Sequence, residues 1–269
     1  MSAFAAHATV TIRVAAEASL AGPVSDIIIQ FQRDHAASGY MVTATFGSSS
    51  QIESQINGTC SSCTPNQPGY DLFLAADVSR PNDLIANHSS SVVAYNSPAT
   101  PAKYLIEYAI GALDLWTNTA GIDVSGGLPA GWSKVAIATP GSTPYGDAAQ
   151  QVLSNVYGVA LPSAKVDQYP NMTATLKVVR TGSPPSEQYG FVARAQICTH
   201  GDTTPVYSGV SHQDIASGGS TYSPILQGGV EVANTRTADQ QTELTAFVQY
   251  LTGKNFSGGA VTPNGANRL

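Results

Sequence analysis

Residues 45–53, Thr-Phe-Gly-Ser-Ser-Ser-Gln-Ile-Glu, join a predicted strand to a predicted helix. Residues 40–46 alternate apolar and polar side chains, which predicts a strand with one buried face. Ser50 and Glu53 have the spacing of a capping box, and Gly58 is a stop signal. The sequence therefore predicts a strand, a serine-rich turn and a short helix that begins near Ser50.

A serine-rich turn at a helix N-terminus presents several hydrogen-bond donors. Backbone N–H groups and hydroxyls point at one spot there, and the helix dipole adds partial positive charge, so the spot favours an anion. For one such turn alone, serines that only cap the helix are the simpler interpretation. Ser19 repeats the arrangement, because it lies between the alternating residues 9–16 and a helical stripe that starts at Val24.

Parallel strands would bring the two turns together. Residues 70–77 form a short apolar run that ends in an aspartate, as a buried parallel strand does. Strands that alternate with helices predict a parallel sheet whose loops gather at the carboxyl ends of its strands. Ser19 and Ser49 are therefore expected to meet at one rim.

Composition limits the class of protein. The chain has 269 residues, more than one core usually organises, so two α/β lobes are expected. Only 11% of residues are charged, a balance that suits an exported protein. The net charge of -6 and the lack of a basic stripe argue against a nucleic-acid partner, and no apolar run has the length of a membrane helix. Residues 2–8 are alanine-rich and are interpreted as the remnant of a trimmed export signal.

The three cysteines include a C-x-x-C pair, Cys60 and Cys63, in a polar insert. Such a pair can be half of a zinc site, a redox pair or a short disulfide. No second Cys/His pair with metal spacing accompanies it, which favours a disulfide that pins an exported loop and leaves Cys198 unpaired.

A second group of elements follows. The mixed run 104–116 has no helix signal at either end and is predicted to cross between the lobes. Further predicted strands are residues 134–139, 188–193 and 229–233. Further predicted helices carry the apolar stripes Ala148-Val152-Val156, Leu176-Val179 and Leu244-Phe247-Val248-Leu251. With a return crossing near residues 197–207, lobe I contains residues 9–112 and 205–269, and lobe II contains residues 113–204.

Several short motifs in this order resemble one family. They are Ala16-Glu-Ala-Ser-Leu20, Phe46-Gly-Ser-Ser-Ser50, Tyr70-Asp-Leu-Phe-Leu-Ala-Ala-Asp77, Ile137-Ala-Thr-Pro140, Tyr108-Ala-Ile-Gly111, Tyr189-Gly-Phe-Val192 and Tyr222-Ser-Pro-Ile225. Together, over about residues 9–255, they resemble the periplasmic molybdate-binding proteins of ABC importers. The resemblance implies a type II periplasmic binding fold. Its two α/β lobes, each a mostly parallel sheet flanked by helices, would hinge at two crossings and hold a tetrahedral oxyanion between them by neutral donors.

The resemblance also implies site residues. Ser19 and Ser49 fall where the family's two ligand-binding hydroxyls lie, each with its own backbone N–H. The family's third and fourth contacts are backbone N–H groups, which fall on Tyr145 and Met172. Ser48 is a further candidate.

The chain departs from the family at the fifth contact, a tyrosine hydroxyl. That position is Ala193, followed by Arg194. Either the Tyr145 phenol or Arg194 could take the place of the missing hydroxyl, and an arginine would add charge to a neutral site.

The resemblance implies a binding protein of the periplasm, with no enzyme activity, cofactor or metal ion. It would bind molybdate or tungstate, with molybdenum only as the oxyanion, as a monomer that delivers its ligand to an ABC transporter permease. Two alternatives stay open, which are another anion such as sulfate or phosphate, and an adhesin or interaction protein on the same fold. A hydrolase is disfavoured, because no G-x-S-x-G elbow occurs and the five histidines lie in polar or terminal contexts.

Overall fold

The computed structural model describes residues 10–61, 64–66, 69–92, 105–181, 188–199, 206–207, 211–215, 221–252, 254–257 and 260–263. The chain divides into two compact units. The first unit comprises Met1–Glu17, Pro23–Ala109 and Gly228–Leu269, and the second comprises Ala18–Gly22 and Ile110–Gln227. The return to the first unit therefore falls at Gly228, later than the predicted residue 205, and Ser19 belongs to the second unit.

The described strands and helices follow in chain order. The strands are β1 (Val10–Glu17), β2 (Tyr40–Gly47), β3 (Leu72–Ala75), β4 (Ile106–Gly111), β5 (Leu113–Thr117), β6 (Val135–Ala138), β7 (Val166–Tyr169), β8 (Tyr189–Ala193), β9 (Cys198–Thr199), β10 (Val206–Tyr207), β11 (Ser211–Ile215), β12 (Ile225–Glu231), β13 (Lys254–Ser257) and β14 (Ala260–Pro263). The α-helices are α1 (Ala21–Asp34), α2 (Ser49–Asn57), α3 (Ser79–Asn87), α4 (Pro144–Tyr157), α5 (Met172–Thr181), α6 (Arg194–Ile197) and α7 (Ala238–Thr252). None of these described helices is long and apolar enough to cross a membrane.

The first unit is built on a sheet with the strand order β2-β1-β3-β12-β4. Strand β1 runs parallel to β2 and to β3, whereas β12 runs antiparallel to β3. Glu17 at the end of β1 pairs with Gly47 at the end of β2, so the chain leaves both strands at the same edge of the sheet. The predicted parallel arrangement of these strands is thus confirmed.

Helices of the first unit bury the predicted apolar stripes. Helix α1 buries Val24, Ile27, Ile28 and Phe31, and α7 buries Leu244, Phe247, Val248 and Leu251. A capping box begins α7, because Thr237 N–H donates to Gln240 Oε1 at 3.0 Å and Gln240 N–H donates to Thr237 Oγ1 at 3.2 Å.

The capping box predicted for α2 is wrong. The helix begins at Ser49, before the predicted start near Ser50, and its N-cap is Ser48, whose side chain accepts a hydrogen bond from Gln51 N–H. Glu53 does not fold back to cap the helix. It forms an ion pair with Arg80 at 3.0 Å instead. A run of three serines offers three possible caps, so the spacing alone selects the wrong one.

The second unit is built on a sheet with the strand order β11-β5-β8-β6-β7. Strand β6 is parallel to β7 and β8, while β5 is antiparallel to both β8 and β11. This sheet is therefore mixed, and the expectation of a mostly parallel sheet does not hold in the second unit. The run 104–116 is confirmed as non-helical, since it contains β4 and most of β5.

The cysteine prediction is answered in part. Cys60 is disulfide-bonded. Cys63 lies outside the described residues, and so does the side chain of Cys198, so the predicted Cys60–Cys63 pairing stays a prediction.

Candidate functional site

In the first unit, the candidate site is the start of helix α2. Ser49 is the first helical residue and is buried. Its Oγ accepts a hydrogen bond from the Ala76 N–H at 3.3 Å, which ties the helix start to the end of β3. A hydroxyl that accepts one hydrogen bond still has its own hydrogen to donate. Ser49 can therefore offer an O–H and a first-turn N–H at one place.

Ser48, in the same turn, is the N-cap of helix α2. Its Oγ accepts from Gln51 N–H at 3.3 Å and lies 3.4 Å from Ser50 Oγ. Capping satisfies one of the N–H groups that a helix start leaves without an intrahelical acceptor. The structure thus assigns Ser48 a capping role, and a contact between Ser48 and a ligand stays a proposal.

In the second unit, Ser19 is the middle residue of a 3-10 turn, Ala18–Leu20, that leads directly into α1. Its side chain is buried. Helices α5 and α6 lie against this turn. Thr173, in the first turn of α5, donates from Oγ1 to the Ala18 carbonyl oxygen at 3.2 Å. Ser19 and the start of α5 are therefore neighbours.

Met172 is the first residue of α5 and is fully buried. Asn171 precedes it and acts as the cap, because its Oδ1 accepts from Ala174 N–H at 2.9 Å and its carbonyl oxygen accepts from Thr175 N–H at 3.0 Å. In such a helix start, the N–H of the first residue has no acceptor within the helix. Met172 thus has the backbone position that the resemblance implied.

Tyr145 is the second residue of α4, directly after Pro144. The helix is capped by Thr143, whose Oγ1 accepts from Gly146 N–H at 3.0 Å. A Cβ on Gly146 would lie 2.6 Å from the Ala138 carbonyl oxygen, so only glycine lets this turn approach the end of β6 so closely. The Tyr145 N–H is consequently a first-turn amide at the carboxyl end of a strand.

The Tyr145 phenol is also buried, and a defined contact holds it. Gln227 Nε2 donates a hydrogen bond to the Tyr145 hydroxyl at 2.7 Å. Gly111 packs against the pair, since a Cβ there would lie 2.9 Å from Gln227 Nε2 and nearer still to the Tyr145 hydroxyl. The phenol is therefore fixed on two sides by residues of the second unit.

Arg194 forms an ion pair with the carboxylate of Asp114. Its Nε donates to both oxygens of Asp114, at 3.2 and 3.3 Å, and its backbone N–H donates to the Ala112 carbonyl oxygen at 2.9 Å. Burial raises the pKa of Asp114 to about 6, and Arg194 offsets part of that shift. Above that pH the ionised Asp114 offsets the charge of the guanidinium, and a contact between Arg194 and a ligand stays a proposal. Ala193 is a buried strand residue opposite Leu113.

The candidate donors share one property. Ser49, Tyr145 and Met172 each lie in the first turn of an α-helix, and Ser19 lies just before one. All four side chains are uncharged, and their N–H and O–H groups suit an anion that is bound without a counter-charge. Among the described residues, no group of three or more His, Cys, Asp or Glu side chains could hold a metal ion.

The sequence did not lead us to the residues that cap the candidate helices or that contact the Tyr145 phenol. Thr143 and Asn171 were detectable, because each has the residue type of an N-cap and stands before a helical stripe. Gln227 and Gly111 were not detectable, because their contact with Tyr145 joins residues that are far apart in the chain.

Comparisons with known proteins identify the family. A profile of the bacterial extracellular solute-binding proteins matches residues 12–256. A molybdate-binding protein ModA from Azotobacter vinelandii is 30% identical over 245 residues, which cover 90% of this chain and 84% of that protein. The chain therefore belongs to the bacterial extracellular solute-binding proteins, and the predicted resemblance is confirmed.

Solved structures support the predicted two-lobed α/β fold. A periplasmic molybdate-binding protein from A. vinelandii matches with a TM-score of 0.69 at 24% identity, covering 90% of this chain and 93% of that one. The sulfate-binding protein SubI from Mycobacterium tuberculosis matches with a TM-score of 0.59 at 13% identity, covering 90% of this chain and 82% of that one. At these identities the likeness concerns the fold.

Proposed function

We propose that this protein binds a tetrahedral oxyanion, molybdate or tungstate, in the periplasm and delivers it to the permease of an ABC transporter. The proposal rests on the family and on the relative from A. vinelandii that is named a molybdate-binding protein. One observation in the structure supports it most. The four candidate residues, Ser19, Ser49, Tyr145 and Met172, are buried residues at or beside helix N-termini.

The proposed donors are the hydroxyls and N–H groups of Ser19 and Ser49 and the N–H groups of Tyr145 and Met172. We further propose that the Tyr145 phenol replaces the hydroxyl that the family supplies at the position of Ala193. Hydrogen bonds to a charged acceptor contribute roughly 1.5–3 kcal/mol each, so a set of six or seven is ample for micromolar binding after the cost of association.

Binding without catalysis fits the two histidines whose side chains the structure describes. His35 Nδ1 lies 2.9 Å from the Phe31 carbonyl oxygen, and its ring stacks beside Tyr40. His88 lies 3.6 Å from Asp83. Both rings have structural neighbours of their own in the first unit, and neither contact involves a candidate serine. A monomer without a cofactor or nucleic-acid partner completes the proposal.

A thermal-shift panel tests the proposed function. A ligand that binds only the folded state raises its stability by RT ln(1 + [L]/Kd), about 2.7 kcal/mol at 100 times Kd. For a protein of this size the melting temperature should rise by several degrees with molybdate or tungstate. Sodium chloride at equal ionic strength is the control.

The alternatives give different results in the same panel. A larger shift with sulfate or phosphate would replace the proposed ligand with that anion. No shift with any of the four anions would contradict the proposed function and favour an adhesin or interaction protein.

A further inference from the structure

The starting observation is a buried carboxyl group close to a proposed oxyanion donor, within the first unit. Glu53 follows Ser49 by four residues in α2, so the two side chains lie on one face of the helix, with their Cβ atoms about 5–6 Å apart. Both residues are buried. An acid therefore lies one helical turn from the hydroxyl that would bind an anion, and its charge opposes binding unless a cation offsets it.

Arg80, at the start of α3, contacts this carboxylate. Its Nη1 donates to Glu53 Oε2 at 3.0 Å, and 34% of its side chain is exposed. The backbone N–H of Arg80 donates to Asp77 Oδ1 at 3.1 Å. Asp77 directly follows Ala76, whose N–H donates to Ser49 Oγ at 3.3 Å. Arg80 is therefore linked to the Ser49 turn by two short routes, one through α2 and one through the residues that follow β3.

The groups around Arg80 are acids. Besides Glu53 and Asp77, Asp83 lies in the second turn of α3. Burial raises the pKa of Glu53, Arg80 opposes that shift, and the charge of Asp83 adds to it. These charges thus act on one another across the contact between α2 and α3. Arg80 is the cation that the contacts place beside the Ser49 turn, and its charge offsets that of the acids.

We propose that Arg80 determines the affinity for the oxyanion through its charge, by offsetting the acids around Ser49 without contacting the ligand. This inference rests on the proposed function. It gives Glu53 the opposite effect, because an ionised carboxylate repels the same anion. The role is separate from capping, since the cap of α2 is Ser48.

A charge-compensation cycle tests this role. The four proteins are the parent, Arg80→Gln, Glu53→Gln and the double variant, each titrated with sodium molybdate in a calorimeter at about 0.02 M salt. Because burial raises the pKa of Glu53, the titrations are run at about pH 8, which favours its ionised form.

The two single variants should change the affinity in opposite directions. We expect Arg80→Gln to weaken molybdate binding about threefold, the effect of a unit charge roughly 10 Å from a doubly charged anion in water. Glu53→Gln should strengthen binding by about the same factor. The double variant has the same net charge as the parent and should bind about as the parent does.

Two controls separate charge from structure. Arg33→Gln makes the same change in net charge, but Arg33 lies in the last turn of α1, before β2 begins, whereas Ser49 follows the end of that eight-residue strand. This variant should bind as the parent does. Raising the salt to about 0.5 M should remove most of the effect of Arg80→Gln, because the Debye length falls from about 20 Å to about 4 Å.

Each outcome decides the matter. Parental affinity in Arg80→Gln at low salt would overturn the role of Arg80. So would weaker binding by Glu53→Gln, or a loss in Arg80→Gln that persists in the double variant or at high salt, because a direct contact or a structural role gives those results. If Arg80→Gln does not fold, Glu53→Gln carries the test alone, and only tighter binding that disappears at high salt supports the inference.

The proposed function is tested separately by the parent in the same titrations. A parent that binds no molybdate overturns the proposed function together with this inference. A parent that binds molybdate, with an Arg80→Gln variant that binds equally well at low salt, overturns the inference alone.

Discussion

The two units offer different sets of donors. In the first unit one residue, Ser49, offers a hydroxyl, which accepts from Ala76 N–H at 3.3 Å, and a first-turn N–H. In the second unit the candidates are the Ser19 hydroxyl, the backbone amides of Tyr145 and Met172, and a phenol that contacts Gln227. Side-chain donors can be deleted by substitution, whereas backbone donors tolerate almost any side chain. Sequence patterns can therefore identify side-chain donors, but they give almost no indication of backbone donors.

The largest expected effect is on the hydroxyl donors. Ser49→Ala and Ser19→Ala should each weaken molybdate binding at least tenfold, since a lost hydrogen bond to a charged group costs about 1.5–3 kcal/mol. Calorimetric titration with molybdate measures both. Parental affinity in both alanine variants would remove the serines from the site.

Ser48→Ala is the matched control for Ser49→Ala. It removes the cap of the same helix, so it should lower the free energy of unfolding by about 1 kcal/mol while the affinity for molybdate changes less than threefold. A tenfold loss of affinity in Ser48→Ala would show that Ser48 contacts the ligand as well.

The backbone donors call for a different substitution. Met172→Pro should weaken molybdate binding about tenfold, because proline lacks the N–H yet fits the first position of a helix. Met172→Leu keeps the N–H and a similar volume, so it should bind as the parent does. Fluorescence or calorimetric titration compares the two variants. Equal losses in both would show that the side chain of Met172 matters, which would contradict a backbone contact.

Two buried acids, one in each unit, differ in their partners. Asp114, in the second unit, has Arg194 as an ion-pair partner. Glu243, on α7 in the first unit, is fully buried. Burial raises the pKa of Glu243 to about 8, and the nearby backbone of Met41 offsets this only in part. Below pH 4.5 the folded and unfolded states both keep this proton, and at higher pH the unfolded state loses it first.

Glu243 should therefore reduce stability as the pH rises from about 4.5 to 8. Between pH 6 and 7 the loss should be about 1 kcal/mol, and Glu243→Gln should abolish this slope because an amide does not titrate. Urea unfolding of both proteins across this pH range measures the difference. Parallel stability curves for the parent and Glu243→Gln would contradict the raised pKa.

Much of the fold follows from local patterns in the sequence. The apolar stripes of α1 and α7 and the alternation in β1 and β2 predict those elements, because each depends on which face is buried. The late return to the first unit at Gly228 was not predictable in this way. The antiparallel pairing of β5 with β8 and β11 was equally hidden, because pairing direction depends on long-range contacts.

The candidate site likewise contains residues that local sequence patterns predict and residues that they do not. Ser19 and Ser49 stand out because serines in strand-to-helix turns have a direct chemical meaning. Tyr145 and Met172 were predicted only from the resemblance. Every residue except proline has a backbone N–H, so the residue type does not indicate which amides bind a ligand. The contact of Gln227 with Tyr145 and the ion pair of Arg194 with Asp114 join residues far apart in the chain, so they are visible only in the structure.

The proposed site is tested most directly by a calorimetric titration of molybdate into the parent and into a Ser19→Ala, Ser49→Ala double variant. We expect one site per chain, with a dissociation constant in the micromolar range or below for the parent. We expect affinity at least a hundredfold weaker in the double variant, because losses at two separate donors add. No binding to the parent, or equal affinity in both proteins, would contradict it.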